Sequence, residues 1–242
     1  MDLSLVKQHI LAIIPARGGS VGIPNKNIVP LLDMPLLSWT ISQALNSDVI
    51  DDVIVSTDSD EIASLARSNG ALVVKRPSAI SGNDASSEDA VIHALQVFIK
   101  ENQIDINDVT VIFLQATSPL RKANDIANAY ILYNDLGCES LFSSSIAADL
   151  TLWNCINEDW KSTNFDYRCR KTRQAAPTQY VENGSIYIFK ATKVIATKNR
   201  LHGKIGNYIM EPWQVHEIDE PDDLELVSYY MEKNIIIKKG EL

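Results

Sequence analysis

A loop that follows the first apolar run of the chain carries residues suited to holding a polyphosphate. The run at 10–14 contains only isoleucine, leucine and alanine, and predicts a buried strand. The loop behind it is rich in glycine, which lets backbone N–H groups approach a ligand closely, and Arg17 and Lys26 supply positive charge. Its spacing matches neither the P-loop nor the dinucleotide-binding loop. The pattern predicts a phosphate site of another type; the alternative is an ordinary strand-to-helix turn.

Other charged and polar residues follow later apolar runs in the same way. Ligands of parallel sheets sit beyond the carboxyl ends of the strands, so residues at those ends are expected to share one pocket that binds an anion. For any single cation the alternative is a solvated surface group. For Gln115 the alternatives are a hydrogen bond to a base or sugar, or a cap on the following helix. The residues at these ends are Arg17, Asp58, Arg76, Gln115 and Arg121.

Two carboxylates near the C-terminus are candidate metal ligands. Glu217 and Asp219 alternate, so on an extended segment their side chains point to the same face. Mg²⁺ prefers oxygen ligands and often uses one or two carboxylates together with substrate phosphates. The alternative is a solvated acidic stretch leading into a helix that starts at Pro221, where acidic residues favour the helix dipole.

Composition excludes several classes of partner. The chain has 242 residues, a formal net charge of −9 and three cysteines. An acidic protein is a poor general binder of nucleic acid or of anionic membranes, so neither is expected as a partner. No apolar run approaches the roughly 20 residues of a membrane span, and no signal layout is present at the N-terminus. Three widely spaced cysteines fit reduced thiols, which predicts a cytoplasmic protein.

Strand and helix patterns alternate along most of the chain. A helix is expected from Pro35 to about Asn46, and 109–114 is a further buried strand. Asn183-Gly184 reads as a tight turn before a strand at 184–190. Repeated strand-helix units predict an α/β fold, a three-layer, mainly parallel sheet within a single domain spanning 1–242.

One segment interrupts this alternation. The excursion at about 150–180 has no clear period and places large apolar side chains among charged ones, which predicts a β-hairpin or an arm. An exposed apolar patch usually marks a contact site, so a homodimer is expected through it. The alternative is an arm that folds back on its own core. The apolar residues concerned are Leu152, Trp153, Trp160, Phe165 and Tyr167.

Taken together, these motifs resemble the acylneuraminate cytidylyltransferases, the CMP-sialic acid synthetases. Ala-Arg-Gly-Gly-Ser-x-Gly-Ile-Pro-x-Lys-Asn at 16–27 and Gln-x-Thr-Ser-Pro-Leu-Arg at 115–121 carry the most specific part of the resemblance. It covers nearly the whole chain. Further matching segments, in the same order, are Ser56-Thr57-Asp58, Arg76-Pro77, Arg173-Gln174, Asn183-Gly184-Ser185-Ile186-Tyr187 and Glu217-Ile218-Asp219.

The resemblance implies a nucleotide-diphospho-sugar transferase-like fold and a defined reaction. The anomeric hydroxyl of a nine-carbon 2-keto-3-deoxy acid sugar, of the sialic, legionaminic or pseudaminic type, attacks the α-phosphate of CTP and releases pyrophosphate. It also implies a dimer whose arm completes the partner's sugar pocket. The implied contacts are Arg17, Ser20 and Lys26 for the triphosphate, Asn27, Arg76, Ser86 and Gln115 for the cytidine, Gln115, Arg173, Gln174 and Tyr187 for the sugar, and Glu217 with Asp219 for Mg²⁺, with Arg17, Lys26 and Asp219 as the catalytic group.

The chain departs from the family pattern at two positions. Val21 stands where the family usually has lysine, which removes one phosphate-neutralising charge, and Glu217 stands where the family usually has aspartate. Two alternatives remain open. One is another sugar nucleotidyltransferase, such as the related Kdo-activating enzyme. The other is a catalytically weakened protein that binds nucleotide sugars.

Overall fold

A seven-stranded sheet forms the centre of the protein, and two short two-stranded sheets accompany it. The computed structural model describes residues 8–20, 22–82, 84–147, 151–172 and 174–236. Val21 and Arg173 lie outside these ranges. The strands are β1 (His9–Pro15), β2 (Pro30–Leu31), β3 (Met34–Pro35), β4 (Asp52–Thr57), β5 (Leu72–Lys75), β6 (Val109–Leu114), β7 (Ser140–Ile146), β8 (Trp153–Ile156), β9 (Asp159–Ser162), β10 (Tyr180–Lys190) and β11 (Ile205–Met210).

Helices alternate with these strands through most of the chain. They are α1 (Leu36–Leu45), α2 (Asp60–Ser68), α3 (Ser87–Asn102), α4 (Asp125–Asp135), α5 (Ala191–Thr197) and α6 (Pro221–Asn234). The main sheet has the order β11-β7-β10-β6-β1-β4-β5. All its neighbouring strands are parallel except β10, which runs antiparallel to both β6 and β7. The predicted α/β class with a mainly parallel sheet is confirmed.

The alternation of side chains along β1 shows why the sheet has helices on both faces. Ile10, Ala12 and Ile14 belong to a buried cluster shared with α1, α2 and α4. Leu11 and Ile13 point to the other face, into a cluster shared with α3 and α5. A strand buried on both faces must be apolar throughout, as this run is. The glycine-rich loop therefore leaves the sheet from a rigid central position, at the carboxyl end of β1.

Asn183 and Gly184 do not form a turn, and the sequence prediction there is wrong. They lie inside β10, where the pairing with β7 shifts register between Glu182 and Tyr187. The Asn183 side chain is fully buried and accepts hydrogen bonds from Ser143 Oγ at 2.6 Å and from the Ser185 backbone N–H at 3.3 Å. Satisfying this buried amide holds the irregular strand in the sheet.

The predicted excursion contains a β-hairpin. Strands β8 and β9 pair antiparallel in a sheet of their own, with Asn157 and Glu158 at the turn in left-handed conformations. Every residue of β8 is exposed. In the described residues, no helix has the length and apolarity required to cross a membrane.

Candidate functional site

The glycine-rich loop after β1 contacts the acidic segment (217–220) directly, through Lys26. Lys26 Nζ donates hydrogen bonds to the Ile218 carbonyl oxygen at 3.0 Å and to Asp219 Oδ1 at 2.8 Å. The side chain of Lys26 is 14% exposed, whereas that of Asp219 is 69% exposed. A Cβ on Gly22 would overlap the Asp219 carbonyl oxygen, so this close approach requires glycine. The structure therefore brings two of the three predicted catalytic residues together.

An apolar cluster fixes this contact. Ile23 of the loop and Ile218 of the acidic segment are both buried in it, together with residues of α1 and α6. The Ile218 backbone N–H also donates to the Thr117 carbonyl oxygen at 2.8 Å. The cluster explains why Lys26 reaches residues so distant in the sequence. Its buried members are Ile23, Leu31, Leu36, Leu120, Ile218, Val227 and Met231.

Hydrogen bonds hold the first part of the loop in shape. The Gly18 backbone N–H donates to Asp58 Oδ1 at 2.9 Å. Asn27 is buried, and its Nδ2 donates to the Arg17 carbonyl oxygen at 3.0 Å. Arg17 Nη1 donates to the Gly82 carbonyl oxygen at 2.9 Å, which ties the loop to the stretch that follows β5. Asn27, predicted to contact cytidine, thus has a structural hydrogen bond within the loop.

Arg76 lies beside Arg17 and Asp58, as a shared pocket requires. It is buried, and its Nη2 donates to the Ser56 carbonyl oxygen at 2.7 Å. Burial lowers the pKa of Arg76; the nearby charge of Arg17 lowers it further, and Asp58 opposes the shift. Two guanidinium groups near each other at neighbouring strand ends are suited to an anion.

Arg121 does not belong to the anion-binding pocket. The prediction that placed it there, from its position after a strand, is wrong. Its side chain is turned inward and is 1% exposed. Burial lowers the pKa of Arg121 to about 9, so the group stays charged at neutral pH. The guanidinium instead joins β10, α1 and the residue that follows β6. Its acceptors are the Ser185 carbonyl oxygen (3.2 Å from Nε and 2.7 Å from Nη2), Thr40 Oγ1 (3.1 Å), Gln43 Oε1 (3.0 Å) and the Gln115 carbonyl oxygen (2.7 Å).

The two candidate metal ligands differ in their surroundings. Glu217 is partly buried, and burial raises its pKa, as does the nearby charge of Asp219. Thr117 Oγ1 lies 3.5 Å from Glu217 Oε2. Gly184 has a positive φ of 63°, and a Cβ there would overlap the Glu217 carboxylate. The strand irregularity in β10 thus makes room for this carboxylate.

Whether Mg²⁺ suits these residues depends on the donor set. No group of three or more acidic, histidine or cysteine side chains that could hold a metal occurs within the ranges that the structure describes. Two carboxylates, one on either side of Ile218, are present, and the charge of Asp219 raises the pKa of Glu217. Hard oxygen ligands with excess negative charge fit Mg²⁺ when substrate phosphates complete its coordination.

The predicted sugar-binding residues are less closely assembled. Tyr187 is buried on β10, stacks on Phe113 with ring centroids 5.4 Å apart, and donates its hydroxyl hydrogen to Glu182. Gln115 follows β6 directly and is half-buried. Gln174 is exposed, and in the described chain no hydrogen bond joins it to Gln115 or Tyr187. Arg173 lies outside the described residues.

Two predicted serine contacts have different surroundings. Ser20 is half-buried in the glycine-rich loop after β1. Ser86 is exposed and caps α3, where its Oγ accepts a hydrogen bond from the Asp89 backbone N–H at 3.0 Å. A capping hydroxyl still has a donor hydrogen and a free lone pair, so this role leaves a ligand contact open.

Sequence reasoning missed an ion pair beside Tyr187. Arg200 Nε donates to Glu88 Oε1 at 2.6 Å, and the guanidinium lies over the Tyr187 ring. The two residues are 112 positions apart. Neither stands in a motif or directly after an apolar strand, so no local signal marked them.

Comparison with known proteins identifies the family. The cytidylyltransferase family model matches residues 11–194. The N-acylneuraminate cytidylyltransferase of Escherichia coli is 32% identical over 94% of this chain, which spans about half (53%) of that longer relative. A post-translational flagellin modification protein B of Campylobacter coli is 31% identical over 95% of this chain and 98% of its own length. The pseudaminic acid cytidylyltransferase of Campylobacter jejuni is 30% identical, covering 93% of this chain and 97% of its own.

Solved structures share the fold. CMP:2-keto-3-deoxy-manno-octonic acid synthetase complexed with CTP superimposes with a TM-score of 0.68 over 94% of this chain and all of that chain, at 16% identity. A 4-diphosphocytidyl-2C-methyl-D-erythritol synthase gives 0.66 over 93% of this chain, at 13% identity. At these identities the likeness concerns the fold alone. The family model and the full-length relatives establish that this chain belongs to the cytidylyltransferase family.

Proposed function

We propose that this protein transfers the cytidylyl group of CTP to a nine-carbon 2-keto-3-deoxy acid sugar and releases pyrophosphate. The observation that carries the proposal is the contact of Lys26 with Ile218 and Asp219, which joins a glycine-rich cationic loop to an acidic segment. Transfer of this kind relies on positioning and charge neutralisation rather than on covalent chemistry by the protein. An ammonium and carboxylates held at one place by a common apolar cluster provide both.

The residues of the chain divide this work. Arg17 and Lys26 hold the phosphates and offset the charge that develops on the leaving pyrophosphate. Asn27, Arg76, Ser86 and Gln115 would hold the cytidine. Glu217 and Asp219 would hold Mg²⁺, which supplies neutralisation of phosphate charge when it is bound. Gln115 and Tyr187 face the acid sugar.

The choice of acceptor follows the relatives. Two of them carry names that specify acylneuraminate or pseudaminic acid, at 30–32% identity over at least 93% of this chain. The synthetase for the eight-carbon acid sugar is similar only in fold. A nonulosonic acid is therefore the favoured acceptor class. The weakened binding protein is disfavoured because Arg17, Lys26 and Asp219 are all retained.

A homodimer through the arm forms part of the proposal. Ile156 and Trp160 are 65% and 64% exposed, which is a large apolar surface for a free hairpin. A cavity of about 630 Å³ lies at the base of the arm, and Arg170 and Lys171 line it. These cations, with Arg168, would serve the neighbouring subunit's site. Light scattering that shows an active monomer at working concentration would contradict both the dimer and the shared site.

A cytoplasmic location is also proposed. Cys138, Cys155 and Cys169 are free thiols. Reduced cysteines fit a compartment in which glutathione keeps thiols reduced, and CTP is available there.

The reaction can be tested by measuring pyrophosphate release. Purified protein is supplied with CTP, UTP, GTP or ATP, each with an N-acylneuraminate, a pseudaminic acid or the eight-carbon acid sugar. We expect turnover with CTP and a nine-carbon acid, and its loss in EDTA. A preference for another nucleotide or for the eight-carbon sugar would contradict the proposed substrates. Equal turnover in EDTA would contradict the metal assignment only.

A further inference from the structure

The guanidinium of Arg200 is held in a fixed position beside the proposed sugar site. Its Cζ lies 4.6 Å from the ring centroid of Phe113 and 4.7 Å from that of Tyr187. Nε donates to Glu88 Oε1 at 2.6 Å. A planar cation that lies on two rings and is bound through Nε has little freedom left to rotate.

Among the residues that the structure describes, no hydrogen-bond acceptor lies against the Nη nitrogens of Arg200. Across the described residues, the hydrogen bond to Glu88 is the one that Arg200 makes. Its side chain is 18% exposed, so part of it remains accessible to solvent. The paired Nη donors form the edge with which arginine binds oxygen acceptors. The geometry is that of a donor prepared for a ligand.

The position of Arg200 joins the two halves of the proposed site. Glu88 lies in the first turn of α3, just after Ser86, which is a predicted cytidine contact. Tyr187 is a predicted sugar contact. Phe113 lies in β6, two positions before Gln115, which follows that strand. Arg200 therefore contacts a residue that is predicted to face the acceptor sugar.

We propose that Arg200 is a specificity-determining residue that donates from its Nη edge to an acceptor oxygen of the acid sugar. The inference rests on the proposed function. Glu88 already balances the charge of Arg200, so the pair favours a neutral acceptor, the carbonyl oxygen of an acylamino substituent. The carboxylate of the sugar offers the same acceptor chemistry from a second source. Glu88 acts as a positioning residue.

Steady-state kinetics of the full chain test this proposal. Wild type is compared with Arg200→Met, which removes the donors, and with Arg200→Lys, which keeps a cation opposite Glu88 in case the first variant folds poorly. Arg67→Met, at an exposed position on α2, is the matched control. The acceptors are an N-acylneuraminate and its deaminated analogue, which has a hydroxyl in place of the acylamino group. Thermal melting checks the fold of each variant.

The expected result is a rise in KM for the N-acyl sugar of about tenfold or more, the scale of a charged hydrogen bond, with KM for CTP unchanged. A smaller rise in Glu88→Gln, with kcat unchanged, would support positioning. If KM rises for the acylated sugar alone, the acceptor is its carbonyl; an equal rise for both sugars assigns the carboxylate.

Two outcomes would overturn the inference. Unchanged sugar KM in folded Arg200→Met and Arg200→Lys, against an active wild type, removes Arg200 from the site but leaves the proposed function intact. A wild type that turns over no acid sugar with CTP removes the proposed function, and the role of Arg200 with it.

Discussion

Lys26 and Asp219 are 193 positions apart in the sequence, yet Lys26 Nζ lies 2.8 Å from Asp219 Oδ1. The ammonium therefore neutralises a carboxylate that is otherwise largely exposed. In the proposed reaction a bound triphosphate would compete for this ammonium, which would leave Asp219 available to the proposed Mg²⁺. We therefore expect nucleotide binding to alter the contact between Lys26 and the acidic segment.

Replacing Lys26 by alanine should reduce turnover on the order of a hundredfold, the scale seen when one transition-state donor is removed. The variant loses both the charge for phosphate and the contact with Asp219. Initial rates of pyrophosphate release measure the effect. Lys100→Ala, at an exposed position on α3, is the control. Kinetics identical to wild type would show that Lys26 holds the loop against the acidic segment without contributing to turnover.

Asp219→Asn should abolish most turnover, and Glu217→Gln should do so less completely, because water can partly replace one metal ligand. Titration of Mg²⁺ in the presence of CTP should show a higher metal requirement in both variants. Glu225→Gln, on an exposed turn of α6, should behave as wild type. If both acidic variants keep full activity and the wild-type metal requirement, the metal site lies elsewhere.

The pKa of Glu217 predicts a pH-dependent stability. Burial and Asp219 raise this pKa above its ordinary value of 4.5, so the folded state holds the proton more tightly than the unfolded state does. The tighter proton binding stabilises the folded state fully below about pH 4.5, and this stabilisation is lost as the pH rises through the folded-state pKa. A glutamine side chain does not titrate, so the melting temperature of Glu217→Gln relative to wild type should increase from about pH 5 to about pH 8.

This comparison is made without divalent metal, and Glu225→Gln controls for net charge. Saturating Mg²⁺ with CTP should reduce the difference, because a cation favours the ionised carboxylate. A melting difference that is constant with pH would show that Glu217 titrates normally.

Arg121→Met should lower the free energy of unfolding by about 3 kcal/mol or more, since it leaves several buried acceptors without a donor. Arg121→Lys should recover only part of this loss, because an ammonium cannot reproduce the planar fork. Urea unfolding measures both, with Arg67→Met expected within about 0.5 kcal/mol of wild type. Unchanged stability combined with a raised KM for CTP would return Arg121 to the nucleotide pocket.

Features set by local sequence were predicted well. The strand at 109–114 has the predicted bounds, and the helix expected from Pro35 to about Asn46 runs from Leu36 to Leu45. Continuous apolar runs can be buried only on both faces of a sheet, and helix starts and stops depend on neighbouring residues. The glycine-rich loop and the paired acids could be proposed as sites from the sequence for the same reason, because their residue types lie close together in the chain.

Only the tertiary structure decided which of these side chains meet and which way they face. Arg121 stands at a strand end like Arg76, but its donors are used inside the protein. Asn183-Gly184 has the composition of a turn, yet β10 continues through it. The Asn183 amide is hydrogen-bonded inside the sheet, and the Glu217 carboxylate lies against Gly184. The pairs Lys26–Asp219 and Arg200–Glu88 join distant segments. Burial and charge pairing depend on partners that are distant in the chain and are brought near by the fold. The spacing of neighbouring residues in the sequence does not identify those partners.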